Sequence, residues 1–305
     1  MRSIQYSPKY RRMVNFFNSH FPVTLAKMRF RKLFGRKLNL KNPQDLNEKI
    51  LWLSLYSDTS LWTRCADKYA VREYVEEKGL GNILVKLYGK WDRVEDIDWD
   101  KLPRSFVMKT NNGAGTVLIV EDKDKLDLNK TKTILKKWLA KDITESTTEF
   151  HYRRIVPCII AEELLELPAE EDCVSTTMID YKIWCFNGVP DSFLICSNRT
   201  SNGCCLSAFD TEWNNRDEAL VFGHGHDKRD SMVPQPNNID EMLNVARKLS
   251  EDFPEVRVDL YNIGGRIYFG ELTFTSLGGT MTYYTPKELL RMGQKMNLAD
   301  VKKVR

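Results

Sequence analysis

Apolar and polar positions alternate with two different periods along this chain, and the change of period sorts it into elements. Over residues 129–141, Ile134, Leu135 and Trp138 recur at helical spacing among lysines, which predicts a charged amphipathic helix. Residues 239–252, 286–296 and 61–78 predict further helices. Residues 1 to about 60 also read as helical, with Pro22 and Pro43 as breaks and Asn42 or Asp45 as caps. Short strands are expected near 84–87 and over 106–109, 158–163, 178–186 and 189–197, the last two joined at Asn187-Gly188. Residues 198–236 are polar, Gly-containing and irregular, and a loop of that length in a compact domain points to function. There is no internal repeat.

The run VRVDLYNIGGRIYFGELTF, Val256 to Phe274, predicts two strands across a Gly-Gly turn, with Asp259 on the first and Glu271 on the second. Both acids have apolar neighbours. An acid in such a setting is costly to bury unless it is paired or holds a cation. Two carboxylates facing one site suit Mg²⁺, which takes few protein carboxylates and leaves positions for phosphate oxygens. The other reading is a hairpin with two solvent-facing acids.

RSFVMKTNNGAGTVLIV, Arg104 to Val120, reads as strand, glycine loop, strand. Lys109 ends the first strand, and Gly113 and Gly115 follow in the loop. Such glycines let backbone N–H groups close over a phosphate, and the lysine supplies a point charge. Neither a Walker loop nor a Rossmann fingerprint is present. A plain hairpin is the competing explanation. IIAEELLE, Ile159 to Glu166, is an apolar strand running into Glu162 and Glu163. It reads either as a buried strand entering a loop or as a hinge that meets an adenine edge.

In this order the segments resemble the ATP-grasp superfamily. More narrowly the chain resembles the TupA-like (teichuronopeptide-biosynthesis-like) family, over KNPQDLNEKILWLSLY, DKYAVREYVEEKGL, FVMKTNNGAG, IIAEELLE, DYKIWCFNGVP and the Asp259–Glu271 hairpin. The resemblance implies an α+β ATP-grasp fold of two α+β lobes gripping ATP, with a basic helical N-terminal segment. Its expected divisions are 1–60, 61–105 and 106–305. It implies Lys68 and Lys109 on the phosphates, Gly113 and Gly115 in the loop over the triphosphate, and Glu162, Glu163 and Leu165 at the adenine. Asp180 would meet the ribose. Lys182 would be a further phosphate contact or a solvated lysine. Arg257 would steady the γ-phosphate and acyl-phosphate, and Asp259 and Glu271 would hold Mg²⁺. Thr273 stands where most of the superfamily has a metal-binding Asn, and a hydroxyl is a poorer ligand.

The implied reaction joins a carboxylate to an amine through an acyl-phosphate, at the expense of ATP. The implied substrates are small-molecule or polysaccharide-linked carboxylates and amines of cell-surface polysaccharide (capsule or teichuronopeptide-like) biosynthesis. The alternative is a glycosyltransferase using a sugar nucleotide; two separated phosphate-reading lysines favour a triphosphate instead.

Composition narrows the picture further. The 305 residues are 42% hydrophobic and 29% charged, which excludes wholesale disorder. No apolar stretch approaches a transmembrane length and no secretory h-region is evident, so a cytoplasmic protein with reduced thiols among its seven cysteines is expected. His224 and His226 could hold a metal with Asp227, or simply form a loop. The net charge of +4 is unevenly spread: residues 1–44 carry 11 Lys or Arg and no acid. LAKMRFRKLFGRK, residues 25–37, interleaves apolar and basic residues as an amphipathic helix. It suits an anionic membrane surface, hence a peripheral place on the inner face, or it docks on the protein body. No nucleic-acid partner is expected, since no stacking motif is present.

Overall fold

The computed structural model describes residues 20–113, 115–141, 149–166, 174–223, 225–228 and 233–304. The part of the basic segment before His20, and His224 of the expected histidine–aspartate alternative, lie outside the described residues. The chain divides into two units, Ser60–Glu166 and the remainder. The expected boundary at 105/106 therefore falls inside the first of these.

The unit Ser60–Glu166 is built on a four-stranded sheet. Its elements are α3 (Ser60–Ala66), α4 (Val71–Glu77), β1 (Leu87–Trp91), β2 (Phe106–Thr110), β3 (Val117–Val120), α5 (Leu128–Leu139) and β4 (Ile159–Glu162). The sheet order is β1-β4-β2-β3, and each pair of neighbours is antiparallel. Strand alternation divides its residues cleanly. Phe106, Met108, Val120, Ile159 and Ala161 point into a core with Val94, Ile97, Leu102 and Leu135 of α5. Val107, Lys109, Ile160 and Glu162 share the opposite face.

Two expectations are corrected here. The single helix over 61–78 is broken between Ala66 and Val71. The Asp67 carboxylate accepts from the amides of Tyr69 and Ala70, and this local bond competes with helix continuation. Lys68 thus sits on a turn, where its own amide donates to the Asn111 carbonyl. The strand expected at 84–87 begins only at Leu87, where pairing with β4 becomes available.

The other unit contains α1 (Pro22–Phe34), α2 (Leu46–Tyr56), β5 (Asp180–Phe186), β6 (Val189–Thr200), β7 (Gly203–Asp210), β8 (His226–Lys228), α6 (Ile239–Ser250), β9 (Glu255–Ile263), β10 (Arg266–Thr273) and α7 (Pro286–Lys295). Asp45 caps α2 by accepting from the Glu48 amide at 3.0 Å. Gly35 ends α1 in the left-handed conformation. The six strands run β10-β9-β5-β6-β7-β8, antiparallel except for β7 with β8. Residues 203–210, expected to be irregular, are a strand of this sheet. Their alternation is weak because β7 is covered on both faces toward its end, with Leu206, Ser207, Ala208 and Phe209 all buried.

One face of this sheet carries Ile183, Cys185, Phe193, Ile195, Val256, Val258 and Leu260, all buried. Helix α6 packs on it through Met242, Val245, Ala246 and Leu249. The other face carries the polar row described next.

Candidate active site

The candidate residues fall into two groups, one in each unit. In the unit Ser60–Glu166 the group gathers on the open face of the sheet. Lys109 Nζ donates to Glu162 Oε2 at 2.7 Å, and Arg72 approaches Glu162 Oε1 at 3.4 Å. The two strands that carry Lys109 and Glu162 are hydrogen-bonded neighbours, with Lys109 opposite Ile160 and Val107 opposite Glu162. A buried carboxylate between two cations is the partnership that such a position requires. Lys68 Nζ donates to the Gly113 carbonyl at 2.9 Å, so it reaches the glycine loop from the turn after α3.

The loop is fixed at its base. The Asn111 side chain donates to Asp67 Oδ2 at 2.9 Å and to the Val156 carbonyl at 3.0 Å, and accepts from the Cys158 amide at 2.8 Å. A Cβ on Gly113 would lie 2.5 Å from Thr116 Oγ1 and 2.9 Å from Thr110 Oγ1, which are hydrogen-bonded to each other. No side chain fits there. Gly115 has a φ of 73°. After Glu162 the chain leaves the sheet: the Glu163 amide donates to the Lys86 carbonyl and its side chain is exposed, while Leu165 is half-buried.

The second group lies on the polar face of the six-stranded sheet. Glu271, Asp259, Lys182 and Leu194 stand opposite one another across β10, β9, β5 and β6. Thr273, Arg257, Trp184 and Ser192 form the adjacent row, and Asp180 stands opposite Cys196. Arg257 grips Asp259 with two bonds, Nε to Oδ1 and Nη2 to Oδ2, each 2.7 Å. Lys182 Nζ adds a third at 2.6 Å to Oδ2. Lys182 is thus a half-buried ion-pair partner and not a solvated lysine.

Electrostatics follow from this crowding. Burial alone would push the Asp259 carboxyl up, but Arg257 and Lys182 outweigh it and hold the group below the usual carboxylate range. Burial works against the charged forms of Arg257 and Lys182, and Asp259 more than offsets it in both. Glu271 is different. Its side chain is 45% exposed; Oε1 accepts from the Thr273 hydroxyl at 3.2 Å and lies 3.8 Å from Arg257.

A local irregularity makes this row. The register shifts between Phe269 and Glu271, so Gly270 bulges out of the β9–β10 ladder. A Cβ on Gly270 would lie 2.8 Å from the Asp259 carbonyl, so the bulge needs glycine. Without the bulge, the pairing of Ile263 with Arg266 would carry Glu271 opposite Val258, on the apolar face.

Several members of the group were not singled out from the sequence. Arg257 Nη1 donates to Ser276 Oγ at 2.7 Å, and the Ser276 and Tyr283 hydroxyls are hydrogen-bonded at 2.8 Å. The Arg257 guanidinium also lies 5.8 Å from the Trp184 ring centre. His226, already noted from the sequence with His224 and Asp227 as a possible metal group, sets its ring against Tyr283 at 5.5 Å. Asp180 is paired with Arg199. In the other unit the missed residues are Arg72 and Asn111. Only Asn111 and Ser276 had a local signal, from the glycine loop and from the turn after Glu271; the others lie far along the chain from their partners.

The oxygens that could hold a cation here are the carboxylates of Asp259 and Glu271 and the Thr273 hydroxyl. Three N–H donors occupy Asp259, and a carboxylate has room for about four, while Glu271 is largely uncommitted. Among the described residues no group of three or more His, Cys, Asp or Glu is placed to hold a metal. This set of hard oxygens fits a cation that takes one or two carboxylates and completes its shell with phosphate oxygens and water.

A family model described as TupA-like ATPgrasp matches residues 48–296. No curated protein matches the sequence. Among solved structures, D-alanine–D-alanine ligase from Bacillus anthracis is similar at 16% identity and a TM-score of 0.47, over 82% of this chain and 74% of that one. An L-amino acid ligase from Bacillus licheniformis is similar at 13% identity and a TM-score of 0.44, over 86% and 53%. N5-carboxyaminoimidazole synthetase from Staphylococcus aureus, complexed with ADP, is similar at 12% identity and a TM-score of 0.40, over 76% and 52%.

Proposed function

Because the chain belongs to the TupA-like ATP-grasp family, we propose that it is an ATP- and Mg²⁺-dependent ligase joining a carboxylate to an amine through an acyl-phosphate. The observation that carries this reading is the row Glu271–Asp259–Lys182 with Arg257 clamped beside it. Two cations, buried Arg257 and half-buried Lys182, share one carboxylate there. Such a cluster has spare positive charge for a phosphoryl group, held in advance and without reorganisation.

Lys68 and Lys109 take phosphate oxygens, with the amides around Gly113 and Gly115 closing over them. Glu162 holds Lys109 along the sheet face, and with Glu163 and Leu165 it borders the adenine. Asp180 meets the ribose and Lys182 a further phosphate oxygen. Arg257, steadied by Ser276, balances charge on the acyl-phosphate as the amine attacks. Asp259, Glu271 and Thr273 would hold Mg²⁺, which would supply charge neutralisation on the phosphates. The rest of the catalysis is positioning.

The substrates we propose are carboxylates and amines of cell-surface polysaccharide assembly, either small molecules or polymer-linked. The family resemblance supports this class. The exposed surface of α1 supports a peripheral place on an anionic membrane. Phe21, Met28 and Leu33 are exposed among Lys27, Arg31 and Lys32, which are exposed as well.

The deciding experiment incubates the protein with ATP, Mg²⁺ and a panel of uronic acids, amino acids and amines. ADP and orthophosphate are expected only when carboxylate and amine are both present, with ¹⁸O from a labelled carboxylate entering the phosphate. AMP and pyrophosphate would indicate adenylation. Turnover of a sugar nucleotide with ATP untouched would replace the ligase by a glycosyltransferase.

A further inference from the structure

Three groups at the far end of the polar sheet face take no part in the proposed ligation. Cys196 on β6 stands opposite Asp180 on one side and Leu206 on the other. Cys204 on β7 is two residues from Leu206, so alternation puts both thiols on one face. Cys196 and Cys204 are therefore diagonal neighbours across β6 and β7. Arg199 Nη2 lies 3.2 Å from Cys196 Sγ and also pairs with Asp180. Cys196 is buried and Cys204 half-exposed.

We propose that Cys204 and Cys196 form a peroxide-reactive pair, with Cys204 as the attacking thiolate and Cys196 as the resolving thiol. This does not rest on the ligase reading. A reactive cysteine needs a stabilised thiolate, access from solvent and a second thiol within reach. Cys204 has the access and Cys196 is the second thiol. The neighbouring Cys196 thiol lowers the Cys204 thiol from its ordinary value; burial works the other way, and the Arg199 charge adds to the lowering. Asp180 opposes it and Lys182 assists. Elsewhere burial pushes the Cys158 and Cys185 thiols up to about 12, which leaves them inert at neutral pH.

The step balances with a hydroperoxide as oxidant. The Cys204 thiolate attacks one peroxide oxygen, the O–O bond breaks, and the other oxygen leaves as hydroxide. The Cys196 sulfur then attacks the sulfenic sulfur. An S–S bond forms, the S–O bond breaks, and the oxygen leaves as water with the thiol proton. Two thiols lose two electrons and two protons, and hydrogen peroxide becomes two waters. Arg199 loses the thiolate as a neighbour and keeps Asp180, so the event lands beside the polar row.

The test treats the reduced full chain with hydrogen peroxide, blocks remaining thiols and digests with trypsin without reductant. Cleavage at Arg199 separates residues 183–199, with Cys185 and Cys196, from 200–216, with Cys204 and Cys205. The expected product is these two peptides joined, two hydrogens lighter than their sum. It should persist in Cys205→Ser and Cys185→Ser and be lost in Cys204→Ser. Cys196→Ser should instead accumulate a sulfenic acid that dimedone traps on 200–216. Circular dichroism checks that each variant is folded. Absence of the joined peptide from folded wild-type protein, its survival in Cys204→Ser, or no dimedone adduct in folded Cys196→Ser would overturn the proposal.

Discussion

Lys182 and Asp259 face each other across β5 and β9, with Nζ and Oδ2 2.6 Å apart, the carboxylate buried and the lysine half-buried. The same carboxylate is gripped by Arg257. One acid therefore bridges two cations before any phosphate arrives, and its place on the sheet is a matter of folding as much as of binding.

Asp259→Ala leaves Arg257 and Lys182 without the carboxylate they share. Removing one partner of such a set costs about 3–5 kcal/mol. Urea denaturation should show a loss of that size. The pH dependence has a fixed sign. The Asp259 carboxyl is held low in the fold, so its contribution is present above the unfolded value near 3.9 and is lost as pH falls through the folded one. Wild-type stability should drop below about pH 4, and the variant should show a shallower drop.

Lys109→Ala should weaken ATP binding by about 100-fold or more, since an unmatched charge contact costs on the order of 2–5 kcal/mol. It also leaves Glu162 with Arg72 alone, at 3.4 Å. The pair Lys109→Met with Glu162→Gln should recover stability and not affinity. Calorimetry on the single and double variants separates the two roles; unchanged ATP binding in Lys109→Ala would remove this lysine from the nucleotide site.

Glu271 is partly exposed and accepts a single long bond from Thr273, so Glu271→Gln should leave the melting temperature within about 1 °C of wild type. Turnover should fall to background and become insensitive to Mg²⁺ concentration. A rate near wild type in this variant would take the metal away from Glu271.

Glu255 is fully buried, and neither of its carboxylate oxygens is hydrogen-bonded among the described residues. Burial pushes its carboxyl well above the usual range, against the pull of Arg257. Raised in the fold, it contributes fully below the unfolded value near 4.3, and that stability is lost as pH rises toward the folded value. Glu255→Leu should stabilise the protein by about 1–3 kcal/mol at pH 8 and by less at pH 4. Chemical denaturation at the two pH values reads the difference.

Residues 1–44 should bind vesicles containing anionic lipid and release them as salt rises, each basic residue near the surface contributing about 1 kcal/mol. Deleting them should abolish co-sedimentation. Equal binding to neutral vesicles, or none to either kind, would return α1 to a helix that only packs on the protein.

Much of the site was legible along the chain because its signals are local. Lys109 ends an apolar strand just before a glycine loop, and Asp259 and Glu271 lie on one hairpin whose Gly264-Gly265 turn has both φ values positive. Asn187-Gly188 marked the β5–β6 turn for the same reason. What failed involved competition that no local period records. The Asp67 carboxylate capturing two amides broke the helix at Lys68. Strand β7 found its place only because β6 was there to pair with it.

The residues that complete the site were beyond reach of sequence for the same reason. Arg72 meets Glu162 and Arg257 meets Tyr283 through Ser276 only once distant segments are brought together. The facing of Asp259 and Glu271 shows where local reading ends. The sequence alone determined that both acids lie on paired strands across a tight turn. A strictly regular ladder would have put them on opposite faces. Tertiary structure decided otherwise, because one extra residue at Gly270 inverts the alternation, and only a residue without a Cβ can sit that close to the neighbouring backbone.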